Sequence, residues 1–103
     1  MKIIAKLSHQ IDEEIEDAKH YAKCALKYKG KRKSLADTYY QLSSEEVRHA
    51  NILHNEVTRI IEEYRATHGD PPEIMQMLYD YMHDQSVAAM NEVTTLQQMY
   101  TSN

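Results

Sequence analysis

Apolar residues recur along this chain every three or four positions, over three long stretches separated by two short breaks. The first stripe is Ile4, Leu7, Ile11, Ile15, Ala18, Ala22, Ala25 and Leu26, flanked by Tyr21 and Tyr28. That spacing keeps side chains on one face of a helix and predicts a helix over about 3–29. The first break is Lys29-Gly30-Lys31, where glycine can adopt the left-handed conformation that ends a helix. A second helix is predicted over about 32–67, with two stripes: Leu35, Tyr39, Leu42, Leu53, Val57, Ile60 and Tyr64, and Ala36, Tyr40, Val47, Ala50, His54, Val57 and Ile61. A helix apolar on two sides has neighbours on two sides. The second break is His68-Gly69-Asp70-Pro71-Pro72-Glu73. Gly69 stops the second helix, Asp70 caps the third, Pro71 suits its first position and Glu73 completes a capping-box spacing. The third helix is predicted over about 71–100, with the stripe Met75, Leu78, Met82, Ala89, Val93, Leu96 and Tyr100, and Met90 and Met99 beside it. No strand pattern, repeat or low-complexity tract interrupts this picture. The expected fold is all-α, three long antiparallel helices in a single domain spanning 1–103.

One place breaks the pattern. In Ser43-Ser44-Glu45-Glu46-Val47-Arg48-His49-Ala50, Glu46 and His49 occupy two rungs of the first apolar ladder of the second helix. A buried charge without a partner is costly, so either that face is wet or something compensates the charge. Acid-x-x-His spacing occurs three times, at Asp17/His20, Glu46/His49 and Asp80/His83, where chance supplies about one. Asp17/His20 reads as part of a charged face and Asp80/His83 as part of a mixed surface. Only Glu46/His49 interrupts an apolar ladder.

Glu14 lies sixteen residues before Gly30 and Glu46 sixteen after it. An antiparallel hairpin therefore sets them at one height. Carboxylate oxygen with imidazole nitrogen suits Fe, Mn or Zn. In carboxylate-bridged di-metal bundles, two helices each give a Glu and two others each give a Glu-x-x-His. Glu14, Glu46 and His49 are half of such a set. The third helix offers Glu92 but no second Glu-x-x-His. Two copies packed hairpin to hairpin across a two-fold axis would supply four Glu and two His, and four carboxylates neutralise two divalent ions. A homodimer or higher homo-oligomer is thus the expected partner, and the dimer would complete a four-helix bundle.

Composition adjusts the outline. The 103 residues suffice for one small core, with only two Gly, two Pro, eight Tyr, and neither Trp nor Phe. A net charge of −4 argues against nucleic acid as the partner. No apolar run is long enough for a leader or a membrane span, and the lone Cys24 fits a reducing compartment, so a cytoplasmic protein with no membrane partner is expected. Lys27, Lys29, Lys31, Arg32 and Lys33 cluster at the first break, where cations favour a helix C-terminus. His54 reads as a hydrogen-bonded core histidine, Glu45 and Glu56 as solvated neighbours of the site, and Cys24 as inert packing with no basic partner in clear reach.

The stretch Glu13-Glu14-Ile15-Glu16-Asp17-Ala18-Lys19-His20-Tyr21 is similar to the first-helix signature of the ferritin-like superfamily, including the rubrerythrins and short encapsulated ferritins. There the ligand Glu precedes an aromatic by seven, which selects Glu14 with Tyr21. Glu46-Val47-Arg48-His49-Ala50 is similar to the second-helix signature, with Tyr39 seven residues before Glu46. The resemblance covers roughly the first two-thirds of the chain and extends to small phage-associated ferritin-like proteins. It implies Glu14, Glu46 and His49 as metal ligands, iron at two ions per dimer with Mn or Zn as alternatives, and Fe(II) oxidation by O2 or peroxide. The chain departs from the pattern in having one extra helix without ligands and, at Met99-Tyr100-Thr101-Ser102-Asn103, no cargo tail. The competing expectation from the residues is a non-catalytic helical homo-oligomer with a polar seam and no metal.

Overall fold

The computed structural model describes residues 2–102; Met1 and Asn103, the ends of the single-domain range and of the C-terminal stretch read above for a tail, lie outside it. Three helices account for nearly all of the described chain: α1 (Lys2–Tyr28), α2 (Lys33–His68) and α3 (Glu73–Thr101). No strand occurs among the described residues. The bundle measures 55 × 19 × 17 Å, its long axis matching the roughly 54 Å rise of the 36-residue α2 at about 1.5 Å per residue.

α1 and α2 form an antiparallel hairpin. Gly30 takes φ 83°, and the carbonyl of Tyr28 accepts from the N–H groups of Lys31 and Arg32, each at 3.0 Å. The positive φ is what the break requires, and a side chain there would be strained. α1 buries Ile4, Ile11 and Ile15 in its first half, then Ala18, Ala22 and Ala25 towards the turn. Ala36, Ser43 and Ala50 are the buried residues of α2. Small residues on both helices let them approach closely near the turn.

Ser43 is the one buried polar residue among those described. Its hydroxyl donates to the Ala18 carbonyl at 2.7 Å and accepts from Gln97 Nε2 at 2.9 Å, so one atom ties all three helices together. Ser43→Ala leaves the Gln97 amide and the Ala18 carbonyl short of a partner and is expected to cost about 1–2 kcal/mol, measured as a lower urea midpoint with unchanged slope.

α3 runs parallel to α1 and packs mainly on it, while it meets α2 chiefly through side chains. Ser86 donates to Asp12, and Glu92 pairs with Lys19 at 2.8 Å. Asp12 and Lys19 sit about 140–160° around α1 from Glu14, so α3 covers the back of the hairpin. Its far end is closed by Lys29, whose ammonium donates to the carbonyls of Met99 and Ser102 at 3.0 and 2.5 Å. The basic corner thus serves a helix dipole, and the helix it serves is α3 as well as α1. Tyr100 stacks on Tyr40 and donates to Asp37. Ile11, Ile15, Ala18, Ala50 and Val93 are the shared core, with Val47, Leu53, Val57, Ala89 and Met90 against them.

Two expectations for the third helix are corrected. It begins at Glu73, not residue 71, and no side chain caps it; Pro72 is the capping residue, at φ −52° and ψ 146°. Pro71 precedes another proline, which disfavours helical geometry there. The helix therefore waits for Pro72, whose carbonyl accepts from Met75 and Gln76 at 2.9 and 3.0 Å. The buried stripe also differs by one position: Tyr79 is buried while Leu78 is 55% exposed. A tyrosine buries its ring readily when the stripe 75, 79, 82, 86, 89, 93 keeps strict three-four spacing.

Candidate metal centre

With α3 on the back, the front of the hairpin is left to side chains of α1 and α2 alone. Leu7, Gln10, Glu14, Tyr21, Cys24 and Tyr28 of α1 are half-buried there, as are Leu35, Tyr39, Leu42, Glu46, His49, Leu53, Ile60 and Tyr64 of α2. Each set follows three-four steps, so each lies along one face of its helix. Tyr21, Tyr39 and Tyr28 form a column of stacked rings, with centroids 6.2 and 6.1 Å apart, on the turn side of the polar residues.

At the middle of this face the structure brings Glu14, Glu46 and His49 together. Nδ1 of His49 lies 3.6 Å from Glu14 Oε2 and 3.8 Å from Glu46 Oε1. One donor atom from each residue falls within 4.8 Å of the others. The side chains are 28%, 19% and 43% exposed for Glu14, Glu46 and His49, so the group is shielded but reachable. Neighbouring donors on an ion with bonds of about 2.0–2.1 Å stand about 2.9–3.4 Å apart. The observed separations are slightly wider and close with small side-chain rotations. Two carboxylates and an imidazole are a donor set that fits Fe, Mn or Zn.

The electrostatics mark the same point. The Glu46 carboxyl is pushed up to about 7, first by a hydrogen bond shared with Glu14, then by desolvation and by the negative charge of Glu14; His49 opposes the shift and Asp17 adds to it. Two carboxyl groups side by side cannot both ionise cheaply, so one holds a proton where a cation would otherwise sit. The folded value lies above the ordinary 4.5, so folding strengthens proton binding at this group. Its stabilising contribution is therefore complete below about 4.5 and is lost as pH rises through about 7. Metal-free protein is expected to weaken across that window in urea unfolding, and Glu46→Gln to flatten the dependence. Metal affinity should run the other way, rising with pH as the ion displaces the proton.

Other sequence candidates stand apart from the centre. Glu92 lies on the back, its carboxyl held below the usual range by the hydrogen bond and charge of Lys19. Glu56 is gripped by Arg59 Nη2 at 2.6 and 2.5 Å, and Glu45 accepts from Gln41 at 3.4 Å. Asp17 lies on the exposed charged face, as expected, and its charge still reaches Glu46; its place three residues after Glu14 is the signal for that. Cys24 does have an imidazole in reach, with Sγ 3.7 Å from His20 Nε2. No helix among the described residues is long and apolar enough to cross a membrane. Compared with family models, with curated proteins and with solved structures, the chain matches none.

Proposed function

We propose that this chain is a ferritin-like di-metal carboxylate protein, its site completed when the fronts of two hairpins pack together. The observation that carries this reading is the convergence of Glu14, Glu46 and His49 at the centre of a half-buried, otherwise largely apolar face that α3 leaves open. The similarity of the two helix signatures to the ferritin-like pattern supports it. So does the charge balance, since four carboxylates from two copies neutralise two divalent ions. In the proposed dimer, Glu14, Glu46 and His49 of each copy hold the ions, and the surrounding leucines and tyrosines limit water. Iron bound there would supply one-electron chemistry towards O2 or peroxide. The Tyr21–Tyr39–Tyr28 column would shield one end.

The experiment is metal loading followed by Fe(II) oxidation. Wild type should bind about one ion per chain, sediment as a dimer, and oxidise Fe(II) faster than Glu46→Ala. Equal oxidation rates would remove the catalytic part of the proposal, and the absence of stoichiometric binding would remove the metal. One observation favours a second reading, a non-catalytic oligomer with a polar seam. A protonated Glu46 shares a hydrogen bond with Glu14, so the two carboxyl groups can lie side by side with no cation between them. Under that reading the dimer persists with chelator present and metal changes nothing.

A further inference from the structure

The back of the molecule carries a second meeting of ligand-type residues, on different helices and with different chemistry. His54 of α2 and His83 of α3 face one another and share a hydrogen bond, with Nε2 of His54 3.3 Å from Nδ1 of His83 and the donor set by the tautomers. Their ring centroids are 5.1 Å apart and their planes tilted by 35°. Between these parts of α2 and α3 lies a cavity of about 290 Å³, lined by Ile4, Ile11, Val57 and Ile61 and by both imidazoles. Asp80, one turn before His83, lines the same cavity, and its Oδ1 accepts from Gln76 Nε2 at 3.0 Å. The Asp80-x-x-His83 spacing, a mere surface pair in the sequence, is thus joined by a histidine from another helix.

We propose that His54 and His83 form a second metal site, independent of the front centre and selective for a zinc-like divalent ion, that clamps α2 to α3. A tetrahedral ion with metal–nitrogen bonds of about 2.0–2.1 Å holds two imidazole nitrogens about 3.3–3.4 Å apart, the separation already present. Neutral imidazoles suit Zn, Cu and Ni better than the carboxylate-rich front does. Among the described residues Asp80 does not join the two imidazoles in a three-ligand cluster. The remaining positions are filled by water, or by Asp80 once it exchanges its hydrogen bond with Gln76. An ion here links two helices whose backbones make few close approaches, so binding adds a cross-connection to the shared apolar core.

The test uses Zn(II) as the probe and Glu46→Gln protein, in which the front is impaired. Calorimetry and thermal melts are compared with the same protein also carrying His83→Gln. Expected is binding of about one Zn(II) per chain with a raised melting temperature, weakened more than about tenfold by His83→Gln. Imidazole NMR resonances of His54 and His83 should shift together on titration of the wild-type chain. Equal Zn(II) affinity with and without His83 would overturn the site. So would resonances of His54 and His83 that stay still while His9, His20, His49 or His68 respond, and this readout decides alone if a variant fails to fold. Loss of iron chemistry at Glu46 would leave these results unchanged, so the two sites are tested separately.

Discussion

Replacing Glu46 and His49 together by leucine is expected to raise the melting temperature of the metal-free protein and to abolish its response to Fe(II). Leu42 and Leu53 flank the pair at three-four spacing, so the double variant makes one uninterrupted apolar ladder along the front of α2. The change removes a carboxyl that stays protonated to about 7 against Glu14 and an imidazole that sits beside both acids. Replacing a polar buried cluster by packed apolar groups commonly stabilises by about 1–4 kcal/mol. Partial exposure places this case near the low end, about 1–2 kcal/mol, or roughly 5–10 °C for a chain of this size. Scanning calorimetry with and without metal separates the readings of the front. If Fe(II) raises the wild-type melting temperature and leaves the double variant unmoved, the polar pair is kept for a ligand. A double variant that unfolds or stays monomeric would show that the pair sets the register of the interface.

Ile15→Ala is expected to cause the largest loss of stability of any single truncation in the shared core. Ile15 is 2% exposed and belongs to the cluster where Ala18, Ala50 and Val93 meet. Ala18, Ala50 and Val93 are too short or too stiff to fill the gap, which leaves only the partly buried Leu53 and Met90 at its edge to relax towards it. The cavity therefore persists, and the cost is about 3–4 kcal/mol, a large share of the 5–15 kcal/mol that holds a domain together, as an order of magnitude. Ile52→Ala is the control. Ile52 is 53% exposed, so its loss should stay within about 0.5 kcal/mol. Urea titrations followed by circular dichroism would show both.

The helices were legible because their three-four spacing runs long and only two glycines interrupt it. The height of Glu14 against Glu46 was legible because one tight turn at Gly30 leaves little choice of register. The start of α3 was not, since the capping-box spacing at Asp70 and Glu73 is overridden by the second proline. A ranking by hydrophobicity favours Leu78, while helical phase favours Tyr79 by one position. The side of the hairpin that α3 chooses was not legible either. That choice depends on Lys19 meeting Glu92 and Ser43 meeting Gln97, pairs more than fifty residues apart. The His54–His83 meeting was hidden for the same reason: each histidine looked ordinary on its own helix.

The few close backbone approaches between α2 and α3 have a consequence for how the molecule opens. α3 hangs on α1, and its first half buries only Tyr79 fully while Ile74, Met77, Leu78 and Tyr81 are exposed. The hairpin, by contrast, is made of contacts local to one turn, the kind that form early and fast. Amide exchange is therefore expected to divide the chain into two cooperative units, with 73–85 exchanging through a low-energy opening and the hairpin only near global unfolding. Proteases would enter at the same place. Because that opening exposes the back of α1 and leaves the front untouched, the Glu14–Glu46–His49 centre should outlast it, and a chain clipped between α2 and α3 should retain the front.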